Sequence, residues 1–246
     1  VVTAVGGGLA MGTLHVVTGA DHISAVASLS VGNTSHRAFW LGARWGAGHS
    51  VGLLCVFLTL MALRVETNEV VMQTANRWMG VGVGLFMIAL GVYGIYAVDQ
   101  RLMDAAKNAD EKDEGDEEKL DDEKKPLTSD DNRTEKNRKP EGFLNSSIAV
   151  LVGVVHGAAG PGAVLGVLPA MALRDAPLVW CYFVGFSVAT VLSMGVFAAC
   201  WGTATRKLGE KGGAQVQRNL ALFSSVLCVV VGVAWGTLAV LDVEMN

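Results

Sequence analysis

Residues 12–29 read GTLHVVTGADHISAVASL. They set His15, Asp21 and His22 into a stretch that is otherwise almost wholly apolar or small. An ionisable group in such a run is costly unless it faces a partner or a pathway. In an unbroken helix His15 and His22 project within about 20° of each other but sit about 10 Å apart along the axis. Nitrogens that share a metal ion each approach it to about 2 Å. A shared site therefore needs an interrupted helix. Gly19, after the β-branched Val16, Val17 and Thr18, is the expected break. Unwinding at residues 18–20 shortens the gap, brings Asp21 within reach and frees backbone carbonyls as further ligands.

The chain around this stretch has 246 residues, 51% of them hydrophobic, with 30 glycines and a mean hydropathy of +0.41. That is a membrane composition. At about 20 residues per crossing, the apolar runs predict six spans, near 4–29, 38–63, 78–98, 144–170, 177–202 and 218–241. The runs are continuously apolar and do not alternate with period two, which predicts helices and not a barrel. The expected fold class is an all-α polytopic membrane protein. Its N-terminal half is 1–98 and its C-terminal half 143–246, joined by a disordered charged linker at 99–142.

Charge is segregated into that linker: residues 99–141 hold 16 of the 23 acidic and 10 of the 19 basic residues. The run has few large apolar residues and no aromatic, so it cannot bury enough surface to order itself. Without His or Cys, its carboxylates favour hard cations, and it is read as a tether and not a metal-collecting tail. Cys55, Cys181, Cys200 and Cys228 all fall in predicted spans and none forms C-x-x-C, which predicts apolar packing. No G-x-x-x-x-G-K-[ST] loop occurs, so ATP hydrolysis is not expected and the chain is not read as an enzyme. The start at Val1-Val2, without Met, suggests a fragment or a processed form.

With six spans, one side carries the termini and Arg64, Arg77 and Arg174. The other carries Arg37, Arg206, Lys207, Lys211, Arg218 and the linker. The second side has more Lys and Arg in short loops and is expected to face inward, leaving both termini outside.

The halves resemble each other. GTLHVVTGA (12–20) aligns with GVVHGAAGP (153–161), matching Gly12 to Gly153, His15 to His156 and Gly19 to Gly160. Three spans is an odd number, so a duplication must be inverted across the membrane. Inverted repeats with glycine-interrupted spans point to a transporter whose site lies near the midplane. The second span adds GARWGAGHSVG (42–52), in which His49 lies about halfway along, at a depth similar to His15 and His156. The candidate metal ligands are His15, Asp21, His22 and His49, with His156, Ser50 and Thr18 in support. His36 is read as a loop residue. Such a nitrogen-rich set suits nickel, cobalt, copper or zinc better than magnesium or calcium. A lone buried histidine is more often a strut between helices, and His156 taken alone fits either role. Asp21 and His22 also fit a structural ion pair or a proton relay.

HVVTGADHI, then RAFWLGARWGAGHSVGLL and GVVHGAAGPGAVLGVLPA, resemble the nickel/cobalt transporter superfamily, in particular its urease-accessory-type, high-affinity nickel transport branch. That family carries His-x4-Asp-His in one membrane helix and Gly-His-Ser or Gly-His-Asp in the next. The resemblance implies that His15, Asp21, His22 and His49 occupy its metal-site positions. It covers nearly all of both membrane halves and leaves the linker unmatched. One departure stands out: five residues, not four, separate His15 from Asp21.

The expected function is secondary transport of a divalent transition metal, nickel first and cobalt second. Ni2+ or Co2+ is the cargo, and no cofactor is expected. Expected partners are that ion and membrane lipid, with no nucleic acid; a metallochaperone is compatible, and no oligomeric state is assigned. Two charges moving down 100 mV yield about 4.6 kcal/mol, enough for roughly a thousandfold accumulation. The alternatives are an exporter of another solute or a non-transporting scaffold. A thiol-redox conduit is disfavoured because no two cysteines sit in adjacent helix turns.

Overall fold

A computed structural model describes residues 1–62, 69–117, 141–159, 169–170, 173 and 175–241. Among them the chain forms six helices: α1 (Val2–Thr18), α2 (Ala20–Ser30), α3 (Ser35–Ala62), α4 (Glu69–Glu117), α5 (Glu141–Ala159) and α6 (Ala176–Leu241). The protein is all-helical. Arg77–Gln100 and Ala176–Leu241 are each long and apolar enough to cross a membrane, and α1 with α2 forms a third candidate crossing, bent by 71°. Large apolar side chains such as Leu14, Leu85, Leu192 and Phe223 point outward, as expected for surfaces that meet lipid.

The bend falls where the sequence places it. Helix α1 stops at Thr18, Gly19 is extended (φ −77, ψ 97), and α2 restarts at Ala20. Elsewhere the helices outrun the expected spans. Helix α4 starts at Glu69, inside the expected 64–77 loop, and continues to Glu117 through 19 residues of the expected disordered linker. The reason is local: Ala105, Ala106, Lys107, Ala109, Glu111 and Lys112 are strong helix formers, and a helix already nucleated in the span propagates into them cheaply. The rest of that linker expectation, 118–140, lies outside the described residues, as do 160–168 of the fourth expected span. The expected loop between spans five and six is also helical, broken only at Gly213 (φ 77, ψ −175). This left-handed φ suits glycine. A Cβ on Gly209 would lie 3.1 Å from Gln217 Cβ, although eight residues of straight helix span about 12 Å. The chain therefore folds back at Gly213, and each arm of α6 exceeds the roughly 20 residues of one crossing.

Helix α6 is the hub, packing on α1, α2, α3 and α4, while α5 packs on α3. Glycine sets the close approaches, the usual means of packing helices in a membrane. Gly12 lies against the Phe186 carbonyl and Gly153 against the Trp45 carbonyl. Gly84 faces Gly232, where a Cβ on either would fall 2.7 Å from the other's carbonyl oxygen, and Gly91 faces the Ser225 carbonyl. Gly153→Val tests this packing. Its Cβ would lie 2.9 Å from the His49 backbone nitrogen, and backbone cannot yield as a flexible side chain can. We expect a loss of at least the 1–3 kcal/mol typical of overpacking, seen as a lowered melting temperature in detergent, whereas Gly6→Ala, with nothing within 4 Å of its Cβ, should be neutral.

Candidate metal centre

Four histidines and one aspartate converge where the α1–α2 break meets α3 and α5. The break turns the 10 Å axial gap between His15 and His22 into ring contact, with centroids 4.5 Å apart. His15 Nε2 lies 3.2 Å from His49 Nε2, and His22 Nε2 lies 3.3 Å from the same atom. Behind them, Asp21 Oδ1 is 2.8 Å from His22 Nδ1 and Asp21 Oδ2 is 3.0 Å from His156 Nε2. Asp21, His22, His49 and His156 are buried, and His15 is partly so.

The hydrogen-bond inventory of this cluster is lopsided. An ionised carboxylate only accepts, so His22 Nδ1 and His156 Nε2 are its donors. The other nitrogen of each neutral ring then holds a lone pair. His22 Nε2 thus faces His49 Nε2, which His15 Nε2 approaches as well, and one proton at His49 Nε2 would have to serve both contacts. Separations of 3.2 and 3.3 Å from His49 Nε2 are, however, what nitrogens about 2.0–2.1 Å from a single cation at a tetrahedral angle would show. Two overlapping ligand-like groups result: His15, His22 and His49, and Asp21, His22 and His156. His22 belongs to both.

Every primary candidate from the sequence is in this cluster, and His156 joins it through Asp21. Ser50 is buried beside His49, and among the described residues its Oγ has no hydrogen-bond partner. Thr18 is outside: it is exposed and donates to the Leu14 carbonyl. His36 also stays apart, accepting from Trp40 Nε1 at 3.1 Å near the start of α3 rather than in a loop. Gly160, the expected counterpart of Gly19, lies outside the described residues. Sequence reasoning overlooked the rings that wall the cluster. Trp45 stacks on His49 at 5.8 Å and 17° and lies 5.1 Å from His156, while Phe186 is 5.5 Å from His15. Trp45 precedes His49 by one helical turn, which was the available signal.

Gly19 has a specific role here. A Cβ at this position would clash with His22 Nδ1 and lie 3.0 Å from Asp21 Oδ1, the atoms of the His22–Asp21 hydrogen bond.

Comparison with known proteins gives two relatives. Over 234 residues, 95% of this chain, it is 29% identical to Chloroplast protein FOR GROWTH AND FERTILITY 2 of Arabidopsis thaliana. Over 232 residues, 92% of this chain, it is 30% identical to Chloroplast protein FOR GROWTH AND FERTILITY 1 of the same plant. In each case the match covers 56% of the relative, so the chain spans about half the length of the curated relatives it matches. No family model and no solved structure matches.

Proposed function

We propose that this chain is the membrane core of a secondary transporter for a divalent transition-metal ion, with nickel as the first cargo and cobalt the second. The observation that carries the reading is the convergence of His15, His22 and His49 Nε2 atoms at 3.2 and 3.3 Å in a buried site. Three protein nitrogens leave coordination positions open, as an ion that must be released requires. Asp21 offsets the incoming charge and holds His22 Nε2 as the lone pair, the carboxylate–histidine–metal arrangement that orients ligands and raises their basicity. In this reading Asp21 supports the ligands instead of bonding the ion, and His156 supports Asp21. The likeness to the nickel/cobalt transporter superfamily points the same way. The chain acts as a carrier and not as an enzyme, needs no resident cofactor, and takes a free or chaperone-delivered ion.

The architecture we infer is a six-span inverted repeat. Adding the 141 residues that separate Gly12 from Gly153 to each member of the Gly12–Phe186 contact, cyclically between halves, gives Gly153–Trp45. The same operation turns Gly84–Gly232 into Ser225–Gly91. Both images are contacts. Rising numbers on α4 meet falling numbers on α6, so the two are antiparallel. A twofold that exchanges antiparallel spans lies perpendicular to them, in the membrane plane. The face bearing residues 31–34 is the inward one by its Lys and Arg excess, and the two relatives favour a chloroplast membrane.

A second reading has one observation in its favour. Separations of 3.2 and 3.3 Å suit a tetrahedral ion, hence zinc, better than the roughly 2.9 Å of right-angled nickel coordination with bonds of 2.0–2.1 Å. Purified protein in liposomes with nickel, cobalt, zinc and manganese in competition decides. We expect saturable nickel uptake that cobalt suppresses and manganese does not. Stronger suppression by zinc than by cobalt would move the assignment to zinc, and absence of metal-dependent uptake would remove the transport reading.

A further inference from the structure

A cavity of about 380 Å³ opens on the face that carries residues 31–34. Asn33, Arg37 and Gln217 line its mouth, and Leu41, Leu90 and Ala149 lie deepest on α3, α4 and α5. The same three helices lead on to the histidines. On α3, Leu41, Trp45 and His49 follow at one-turn intervals. On α5, Ala149 is one turn before Gly153, which abuts the Trp45 carbonyl, and His156 follows. On α4, Leu90 is one turn from Phe86, whose ring is 5.8 Å from that of His156. On α3 and α5 the order is therefore cavity, Trp45 layer, histidine layer, and on α4 Phe86 stands between Leu90 and His156. Trp45 is fully buried, and its ring contacts His22, His49 and His156.

The opposite side is built differently. Phe186 covers His15, and beyond it Tyr182, Phe183, Leu53 and Phe57 form a continuous apolar cluster. On the Trp45 side the indole also lies in an apolar cluster, with Val83, Met87, Leu90 and Met194, but Leu90 of that cluster lines the cavity, so the packing there is bounded by open space.

We propose that the cavity is the vestibule through which the ion reaches or leaves the site, and that the Trp45 indole, whose ring touches those of His22, His49 and His156, is the barrier on the vestibule side, Phe186 and its cluster closing the other. This rests on the reading of the cluster as an ion site. An indole makes a suitable barrier because it excludes water when packed, yet its face attracts a cation that passes it.

The test is sided labelling by a membrane-impermeant maleimide in vesicles, with the four native cysteines replaced. Ser28→Cys, on the cavity wall, should react from the 31–34 face alone. Ser50→Cys, beside His49, should be inert from both faces. Adding Trp45→Ala should make Ser50→Cys react at least tenfold faster from the 31–34 face, and Trp45→Phe should restore the seal. Adding Phe186→Ala should leave it inert from the other face. Labelling of the Trp45→Ala protein from the opposite face, equal opening by Phe186→Ala, or an inert Ser28→Cys would overturn the proposal. The Ser28 arm keeps Trp45 intact, so it stands even if Trp45→Ala fails to insert. Nickel binding, measured on the protein with its native cysteines replaced and with Ser50 and the histidines intact, is a separate readout. Sided labelling without metal binding would remove the ion-site reading and leave the barrier.

Discussion

His22→Ala is expected to abolish high-affinity nickel binding, with a loss larger than the roughly 10–100-fold that removing an outer-shell partner costs. His22 is the residue shared by both ligand-like groups. Its removal takes one nitrogen from the ion and leaves Asp21 Oδ1 without its 2.8 Å donor. His22→Gln keeps a hydrogen-bonding side chain yet should fail similarly, because an amide oxygen replaces imidazole poorly for this ion. Asp21→Asn should weaken binding by about 10–100-fold, since it removes the buried negative charge and the carboxylate that His22 and His156 share. The two substitutions together separate the roles. If Asp21 acts through His22, Asp21→Asn should add little once His22 is Ala; if Asp21 bonds the ion itself, the two losses should add. His156→Gln should be the mildest, as the amide can still donate to Asp21. Isothermal titration of nickel into detergent-purified variants checks the series. Equal tolerance of His22→Gln and His156→Gln would return the cluster to a structural role.

The sequence exposed the site more fully than the fold. Apolar runs announce helices because lipid leaves the backbone no other partner, and histidines stand out in them because few charged groups compete with them there. The break at Gly19 was legible because an unbroken helix could not bring His15 and His22 together, a constraint from distance and not from propensity. What stayed hidden was of two kinds. Helix ends were misjudged at Glu69, at Glu117 and around Gly213, where polar residues prolong a helix that the apolar count had already ended. The rings around the cluster were hidden too, because a Trp or Phe in a span reads as lipid-facing or core alike. Trp45 and Phe186 are tied to the site only through contacts between helices distant in sequence. The division of labour around Asp21 was equally out of reach: adjacency to His22 did not reveal that one oxygen takes His22 and the other His156, 135 residues away.

Gly19→Ala should disable the site without unfolding the protein, and it is the sharpest test of why the helix breaks where it does. The backbone angles at Gly19 are ordinary extended values, so alanine meets no conformational barrier there. The obstacle is space. Its methyl would clash with His22 Nδ1 and press within 3.0 Å of both Asp21 Oδ1 and the His15 carbonyl oxygen. The ring and the carboxylate must part, which releases the tautomer of His22 and turns its Nε2 from the other two nitrogens. The expected loss of nickel affinity is again about 10–100-fold, the scale of losing an outer-shell partner. Helical content by circular dichroism and the melting temperature should change little, since the same α1 and α2 faces stay buried. Gly19→Val should lose at least as much. In a His22→Ala background the clash partner is gone, so Gly19→Ala should then add almost nothing, and this dependence distinguishes a ligand-positioning glycine from one that merely allows a bend. Wild-type affinity in Gly19→Ala would mean that the His22–Asp21 bond does not set the site. Loss of affinity that persists undiminished in the His22→Ala background would assign Gly19 to the backbone of the break instead.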